Sequence, residues 1–299
     1  MTIPSDDDAK VGPWPLSQGQ LNTLDACPRK FQYQYLEQRV LPADPTLQEA
    51  ADWGQRFHRL MEQYLLGLSI EPWLAGDRGL AQCFQSLQQK FPDLIPPSET
   101  QLCEHRRSLQ IGPYSLTAIY DLLILGNGDA LIIDWKTATK PRDRPTLANN
   151  WQTQLYLYLL AETSAFPPDS LAMTYWFVRS TNANKTHSST IVQFDYTADW
   201  HQAISDRLTQ TLDRLTHLQQ QWRQEKIPFP QVNPDSNLCQ YCAFAEQCDR
   251  HQEAQQPSST PVPVTVSPNN NSPLSIPAWD TIPEIKPHPP LNSPLAPLP

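Results

Sequence analysis

Ile132-Ile133-Asp134-Trp135-Lys136-Thr137 is the segment of this chain that says most about its architecture. Its apolar residues predict a buried strand, and the alternation of a strand points the side chains of Asp134 and Lys136 to the same face. An isolated Asp-x-Lys sequence is usually a solvated ion pair at a strand end. The segments before and after it therefore determine whether this pair has a chemical role.

Two further strands are predicted before this segment, at residues 101–111 and 114–125. The sequence Gly126-Asn127-Gly128-Asp129 separates the second of them from a strand at residues 130–137 and is typical of a tight hairpin turn. We therefore expect three consecutive antiparallel strands. Asp121 would lie on one strand and Asp134 on the next, which can bring two carboxylates together at one end of the sheet.

The spacing of apolar residues predicts helices before and after these strands. Ser17-Gln18-Gly19-Gln20 has the spacing of a capping box at a helix start. The predicted helices span residues 17–37, 47–66, 80–90, 147–162 and 198–226, and two more strands span residues 171–179 and 190–194. This order predicts an α/β fold in which helices flank a mixed β-sheet.

The two ends of the chain differ in composition from the rest. Of the 31 prolines among the 299 residues, 13 lie between Gln255 and Pro299, a stretch with almost no charge. Such a composition predicts a segment without a packed core. We expect a flexible N-terminal tail at residues 1–15, one folded domain at residues 16–253, and a Pro-rich disordered tail at residues 254–299.

The formal net charge of −9 counts against a broad basic surface for nucleic acids. Part of the excess is local, because Asp6, Asp7 and Asp8 lie in the predicted N-terminal tail, and bound cations would neutralise metal-binding carboxylates. No apolar stretch is long enough to span a membrane, and the first residues lack a secretion signal. We expect a cytoplasmic protein without membrane association.

Asp121, Asp134 and Lys136 form a combination that suits phosphodiester hydrolysis. Two carboxylates can hold Mg²⁺ or Mn²⁺, which polarises a phosphate and lowers the pKa of a bound water. The ammonium group of Lys136 can position that water or offset negative charge in the transition state. Each of the three side chains would then have its own task.

The order of one glycine and seven polar residues along the chain supports this hypothesis. In sequence order they are Gly54, His58, Glu104, Asp121, Asp134, Lys136, Gln152 and Tyr156. This ordered set resembles the PD-(D/E)XK nuclease superfamily, specifically its RecB-like branch, over roughly Leu16 to Arg250. The resemblance implies a restriction-endonuclease-like fold and a nuclease active site.

By this resemblance, His58, Asp121 and Asp134 bind the divalent metal, the backbone carbonyl of Trp135 is a further ligand, and Lys136 is the catalytic lysine. Glu104, at the beginning of a strand, is an auxiliary candidate for metal binding.

Helices that follow the lysine in this family carry a Gln-x-x-x-Tyr motif that faces the active site and the DNA. Gln152 and Tyr156 match this motif, and Gln154 and Tyr158 match it two residues later. We favour the first pair as catalytic because Trp151 and Leu155 frame it as the corresponding residues do in the family.

Cys239, Cys242 and Cys248 form a C-x2-C-x5-C cluster near the end of the predicted domain, and Cys27 lies near its beginning. Thiols at this spacing in a reducing compartment suit a metal centre that joins both ends of the fold. Zinc and iron-sulfur clusters both accept four thiolates. The pattern, together with Cys27-Pro28-Arg29-Lys30-Phe31, resembles the iron-sulfur members of the RecB-like branch, which include AddB and CRISPR adaptation exonucleases. It implies a 4Fe-4S cluster, with zinc as the less favoured occupant.

The leading hypothesis is therefore a Mg²⁺- or Mn²⁺-dependent deoxyribonuclease, an exonuclease on single-stranded DNA that works in repair or recombination. One alternative is a non-catalytic module of the same fold that binds DNA, a helicase or a repair partner. Another is a nuclease of CRISPR spacer acquisition. Metal-dependent DNA cleavage would distinguish a nuclease from the non-catalytic module. The genes that neighbour this one in the genome would distinguish a role in CRISPR spacer acquisition from a role in repair.

Overall fold

The computed structural model describes residues 12–40, 45–90, 100–138, 142–178, 190–233, 235–240 and 242–250. The predicted Pro-rich tail at residues 254–299 lies outside the described residues, as do residues 1–11. Strands in the described ranges form one six-stranded sheet. They are β1 (Trp14–Ser17), β2 (Thr100–Ile111), β3 (Tyr114–Leu125), β4 (Ala130–Lys136), β5 (Leu171–Phe177) and β6 (Thr190–Asp195).

Helices within the described ranges flank this sheet. They are α1 (Gln18–Ala26), α2 (Pro28–Phe31), α3 (Pro45–Leu65), α4 (Glu71–Gly76), α5 (Arg78–Lys90), α6 (Arg144–Ala148), α7 (Trp151–Glu162) and α8 (Ala198–Gln220). None of them is long and apolar enough to cross a bilayer.

Strand β3 organises the sheet. Strand β2 runs antiparallel to it from one end to the other. The parallel strand β1 pairs with residues 114–117 of β3, and the antiparallel strand β4 pairs with residues 122–125. Because β2 occupies one edge of β3, β1 and β4 share the other edge and leave residues 118–121 between them. The pairs β4–β5, parallel, and β5–β6, antiparallel, complete the predicted mixed sheet.

Apolar side chains pack on both faces of this sheet. Along β4, Ile132 belongs to a cluster that includes residues of α1, α7 and α8, whereas Ile133 and Trp135 belong to a cluster with residues of α3 and α5. This alternation follows from strand geometry. Asp134 and Lys136 have the parity of Ile132, so their side chains leave the sheet on the face that α7 covers.

The prediction of one continuous helix over residues 17–37 is wrong. The capping box at Ser17 is present, but the helix ends at Cys27, whose φ of −161° is extended. A residue before proline is disfavoured in the α conformation, and Pro28 follows. Helix α2 then begins at Pro28, and a π-helical turn at Gln32–Leu36 follows it.

Other boundaries also differ from the prediction. The predicted helix at residues 147–162 is divided into α6 and α7, because Asn150 caps α7 by accepting the backbone N–H of Gln152. Strand β1 was not predicted, so the folded part begins at Trp14, two residues inside the predicted tail. Helix α4 was also missed, and α8 ends at Gln220, before a π-helical turn at Gln221–Glu225.

Candidate active site and cysteine site

Asp121 lies at the point where β3 and β4 separate. The last backbone pair between the two strands joins Leu122 to Ile133. Beyond this pair, the side chain of Asp121 replaces a backbone carbonyl of β3 as hydrogen-bond acceptor, because its Oδ2 accepts the backbone N–H of Trp135 at 2.7 Å. The carboxylate is therefore fixed at the opening between the two strands.

Helix α3 brings His58 to this opening. The Nδ1 atom of His58 lies 3.2 Å from Oδ1 of Asp121. Gly54, one turn earlier on the same helix, permits the close approach, because a Cβ atom there would lie 3.0 Å from Oγ1 of Thr137. The Gly-x-x-x-His pattern thus has a steric reason in this fold.

Glu104 of β2 completes a group of three ligand-type side chains with His58 and Asp121. One ligand atom from each residue lies within 4.8 Å of the other two. Glu104 lies on β2 between the pairs Cys103–Leu122 and His105–Tyr120, and its φ of 47° is in the left-handed region. Such backbone conformations are uncommon for residues other than glycine and cluster at functional sites. One imidazole nitrogen and two carboxylates form a donor set that fits Mg²⁺ or Mn²⁺.

The charges of this group affect one another strongly. Burial lowers the pKa of His58, but the carboxylates of Asp121 and Asp134 outweigh this effect and raise the pKa to about 9. Burial, assisted by repulsion from Asp121, raises the pKa of Glu104 to about 7. A cation that binds here therefore competes with protons at neutral pH.

Asp134, Lys136 and Gln152 form a second group, in which each side chain contacts the other two. The Nζ atom of Lys136 lies 2.6 Å from Oδ1 of Asp134 and donates to Oε1 of Gln152 at 2.7 Å. Gln152 in turn donates to Oδ2 of Asp134 at 2.5 Å. Burial raises the pKa of Asp134 to about 6, although Lys136 acts in the opposite direction. Within the described residues, Asp134 is not part of the group of three ligand atoms.

The structure distinguishes the two registers of the Gln-x-x-x-Tyr motif. Gln152 contacts Asp134 and Lys136, whereas the side-chain amide of Gln154 donates to the carbonyl of Ala148 at 3.1 Å. The two glutamines therefore have different surroundings although they are only two residues apart. The register that we favoured from the sequence is the one that meets the ion pair.

Tyr156 borders the second group, which consists of Asp134, Lys136 and Gln152. Burial, followed by repulsion from the carboxylates of Asp134 and Asp121, raises its pKa well above the usual range, and a hydrogen bond with Gln152 acts against this rise. Tyr158 stacks on His201 instead, with ring centroids 5.0 Å apart. Only Tyr156 of these two tyrosines thus borders the carboxylates.

The backbone carbonyl of Trp135 faces the side of β4 on which β3 lies. In a strand, successive carbonyls point to opposite neighbours. The carbonyl of Lys136 accepts the N–H of Val178 at 2.9 Å, on the side of β5. The carbonyl of Trp135 therefore faces the side on which Asp121 lies. This orientation is compatible with the predicted role of Trp135 as a metal ligand.

Tyr175 is a site residue that the sequence analysis did not identify. It lies opposite Asp134 in the register of β4 and β5, and Nζ of Lys136 lies 5.3 Å from the centroid of its ring. Its hydroxyl group is 2.8 Å from Oγ1 of Thr153. Tyr175 thus closes the buried side of the ion pair. No sequence signal singles it out, since its place depends on the parallel register of two strands.

The four cysteines of the predicted cluster line one cavity; they are Cys27, Cys239, Cys242 and Cys248. Aromatic and polar contacts hold the C-terminal segment against the turn that follows α2. The hydroxyl of Tyr33 donates to the carbonyl of Gln247 at 3.1 Å, and its ring centroid lies 5.5 Å from that of Phe244. The structure therefore brings the beginning and the end of the described chain together at the cysteines.

The surroundings of the cysteines affect the protonation of two of their thiols. Burial raises the pKa of the Cys242 and Cys248 thiols, and the nearby cations of Lys30 and Arg29 counteract this effect.

A comparison with protein families agrees with the geometry of the site. The sequence profile of the PD-(D/E)XK nuclease superfamily matches residues 15–249. The chain belongs to this superfamily. The resemblance seen in the sequence is thus confirmed at the level of the PD-(D/E)XK superfamily, and so is the restriction-endonuclease-like arrangement of a mixed sheet flanked by helices. No curated protein matches the chain.

Solved structures that resemble this superfamily member include two proteins of low sequence identity. One is a protein of Eubacterium rectale, provisionally described as an exonuclease, with 9% identity, 87% of this chain and 97% of that chain covered, and a TM-score of 0.47. Another is SSO0001, which is 15% identical. The match covers 83% of this chain and 88% of SSO0001, with a TM-score of 0.36.

Proposed function

We propose that this PD-(D/E)XK superfamily member is a divalent-metal-dependent deoxyribonuclease. It hydrolyses phosphodiester bonds as an exonuclease on single-stranded DNA, in repair or recombination. One observation carries the proposal: two chemically distinct groups meet where β3 and β4 separate. His58, Glu104 and Asp121 form the group of three ligand atoms, and Asp134 forms a buried ion pair with Lys136 beside it.

His58, Glu104 and Asp121 would hold Mg²⁺ or Mn²⁺, which supplies Lewis-acid polarisation of the phosphate and a water of lowered pKa. Asp121 is oriented for this task because one of its oxygens accepts the N–H of Trp135, while the other faces His58. Asp134 and the carbonyl of Trp135 complete the proposed ligand set. A carboxylate oxygen that accepts one hydrogen bond keeps a further lone pair for a cation.

Lys136 would offset the negative charge that develops on the phosphate. The position of its ammonium group is fixed by two contacts, in which Nζ lies 2.6 Å from Oδ1 of Asp134 and 2.7 Å from Oε1 of Gln152. A preorganised charge in a buried site stabilises a transition state more than the same charge in water. Gln152 and Tyr156 support the geometry, Gln152 through its two contacts and Tyr156 through its hydrogen bond to Gln152.

We assign a 4Fe-4S cluster to the cysteine site, with zinc as the alternative. The arrangement of three closely spaced cysteines and the distant Cys27 around one cavity supports this centre. Its role would be structural, since it joins both ends of the proposed domain at residues 16–253. No disulfide links any of the six cysteines, all of which the structure describes. This usage supports the proposed cytoplasmic location.

The test is the digestion of end-labelled single-stranded DNA by anaerobically purified protein with Mg²⁺ or Mn²⁺. Lys136→Ala and Asp121→Asn should each slow single-turnover cleavage ~100-fold or more. The matched control is Lys226→Ala, which changes an exposed lysine at the end of a π-helical turn and should leave the rate unchanged. Circular single-stranded DNA should resist digestion if the enzyme needs an end.

Two outcomes would contradict the proposal. Cleavage that survives both active-site changes would reject the assigned residues. Tight DNA binding without cleavage under either metal would favour the non-catalytic module that binds DNA or a helicase. A role in CRISPR spacer acquisition uses the same chemistry, so cleavage is compatible with that pathway as well as with repair.

A further inference from the structure

Contacts from α1 hold the beginning of α7. The capping residue Asn150 accepts the N–H of Gln152 at 2.8 Å. Asn22 on α1 extends this cap, because its Oδ1 accepts the N–H of Trp151 at 3.2 Å and its Nδ2 donates to Oδ1 of Asn150 at 3.2 Å. The first N–H groups of a helix have no partner within the helix. Another helix therefore supplies one of the missing acceptors.

Asp25, almost one turn later on α1, holds the first side chain of α7. Its Oδ2 accepts hydrogen bonds from Nε1 of Trp151 and from the guanidinium of Arg207, both at 2.6 Å. Arg207 of α8 also lies over the ring of Trp151, 4.1 Å from its centroid, and donates to the carbonyl of Asn149 at 3.0 Å. Trp151, which is fully buried, is thus fixed from two sides, and it directly precedes Gln152.

The contacts of Asn22 and Asp25 with the beginning of α7 determine the position of the Gln152 side chain. Its side chain joins Asp134 and Lys136 at 2.5 and 2.7 Å, and a hydrogen bond weakens steeply when its distance or angle departs from the optimum. We propose that Asn22 and Asp25 are positioning residues, which fix the beginning of α7 so that Gln152 can join the ion pair. This inference rests on the proposed function, because it gives Gln152 a part in cleavage.

A double-mutant cycle tests the inference. In single-turnover digestion of single-stranded DNA, Asn22→Ala should slow cleavage ~10-fold, since small misplacements in an active site are costly. The same change should add nothing in a Gln152→Ala background, because its effect passes through Gln152. Asp25→Asn keeps an acceptor for Trp151 and should retain more activity than Asp25→Ala. The control is Gln202→Ala, which removes an exposed hydrogen bond to Asp206 on α8 and should change nothing.

Two further measurements separate positioning from general loss of stability. Asn22→Ala should lower Mn²⁺ affinity far less than it slows cleavage, because Asp134 is the one member of the proposed ligand set that Gln152 contacts, whereas His58, Glu104 and Asp121 form the group of three ligand atoms without it. Amide hydrogen exchange should become faster at the beginning of α7 and stay unchanged in β3. Equal slowing of cleavage in both backgrounds, or faster exchange throughout, would overturn the inference. If the unaltered protein cleaves no DNA, the proposed function fails, while the exchange data still decide whether α1 holds α7.

Discussion

His58 and Asp121 form a half-buried contact, Nδ1 to Oδ1 at 3.2 Å, between α3 and the end of β3. The contact joins helix and sheet at the place where the sheet opens. With its pKa raised to about 9, His58 carries a proton at neutral pH, so the contact is an ion pair in the protein without a cation. A divalent cation would have to replace that proton.

Metal affinity should therefore rise with pH. The pKa values of His58 and Glu104, about 9 and about 7, mean that protons leave both groups between pH 6 and pH 9. Each proton that the cation displaces contributes up to about tenfold in apparent affinity per pH unit below the pKa of its group. Titration of the protein with Mn²⁺, followed by electron paramagnetic resonance at several pH values, measures this slope.

The Glu104→Gln variant is the control for this slope. It removes the proton that leaves near pH 7, so the slope between pH 6 and pH 7 should become shallower, whereas the contribution of His58 should remain up to pH 9. An affinity that does not change with pH would contradict the competition between protons and metal at these two side chains.

Substitution of Gly54 by alanine, which adds only a methyl group, should affect both stability and metal binding. Alanine is favoured over glycine within a helix by about 1 kcal/mol, but the new Cβ would lie 3.0 Å from Oγ1 of Thr137, and overpacking costs about 1–3 kcal/mol. Gly54→Ala should therefore lower the free energy of unfolding and weaken Mn²⁺ binding through His58. In a Thr137→Ala background the same change should stabilise the protein. Chemical denaturation of the unaltered protein, the two single variants and the double variant measures the change in stability in both backgrounds, and Mn²⁺ titration measures the change in binding. Equal destabilisation by Gly54→Ala in both backgrounds would exclude the steric explanation.

Local sequence signals were sufficient for the centre of the sheet. The hairpin between β3 and β4 follows from its turn, in which Gly128 has a φ of 110° that favours glycine. Strand β1 was missed because it has only four residues, contains Pro15 and pairs with residues 100 positions later in the chain. Its place depends on a long-range pairing that no local pattern reports.

Most members of the candidate site were predicted from the sequence, but Tyr175 and the grouping of the members were not. The strand pattern placed Asp121 and Asp134 near each other, and the family resemblance supplied His58. The division into a group of three ligand atoms with Glu104 and a separate ion pair depends on the approach of α7 to β4. Such helix-to-sheet distances are set by tertiary packing, which one sequence does not display.

Gln152 and Gln154 should respond differently to truncation. Gln152→Ala should slow cleavage ~10-fold or more with little change in melting temperature, because it removes a contact to Lys136 within the active site. Gln154→Ala removes buried hydrogen bonds and should cost about 1–3 kcal/mol of stability while the rate per folded molecule stays the same. Single-turnover digestion and thermal unfolding of both variants give the comparison, and the reverse pattern would assign the motif to the other register.

The cysteine site should stabilise the whole domain, because it connects residues from the two ends of the described chain. Anaerobically purified protein should contain iron and acid-labile sulfide. Cys239→Ala should lose both and lower the melting temperature by ~5 °C or more. Cys103→Ala is the matched control, since Cys103 lies on β2 outside the cavity and should leave the iron content unchanged. Zinc in place of iron would reject the proposed 4Fe-4S cluster, and full metal content in Cys239→Ala would remove this cysteine from the ligand set.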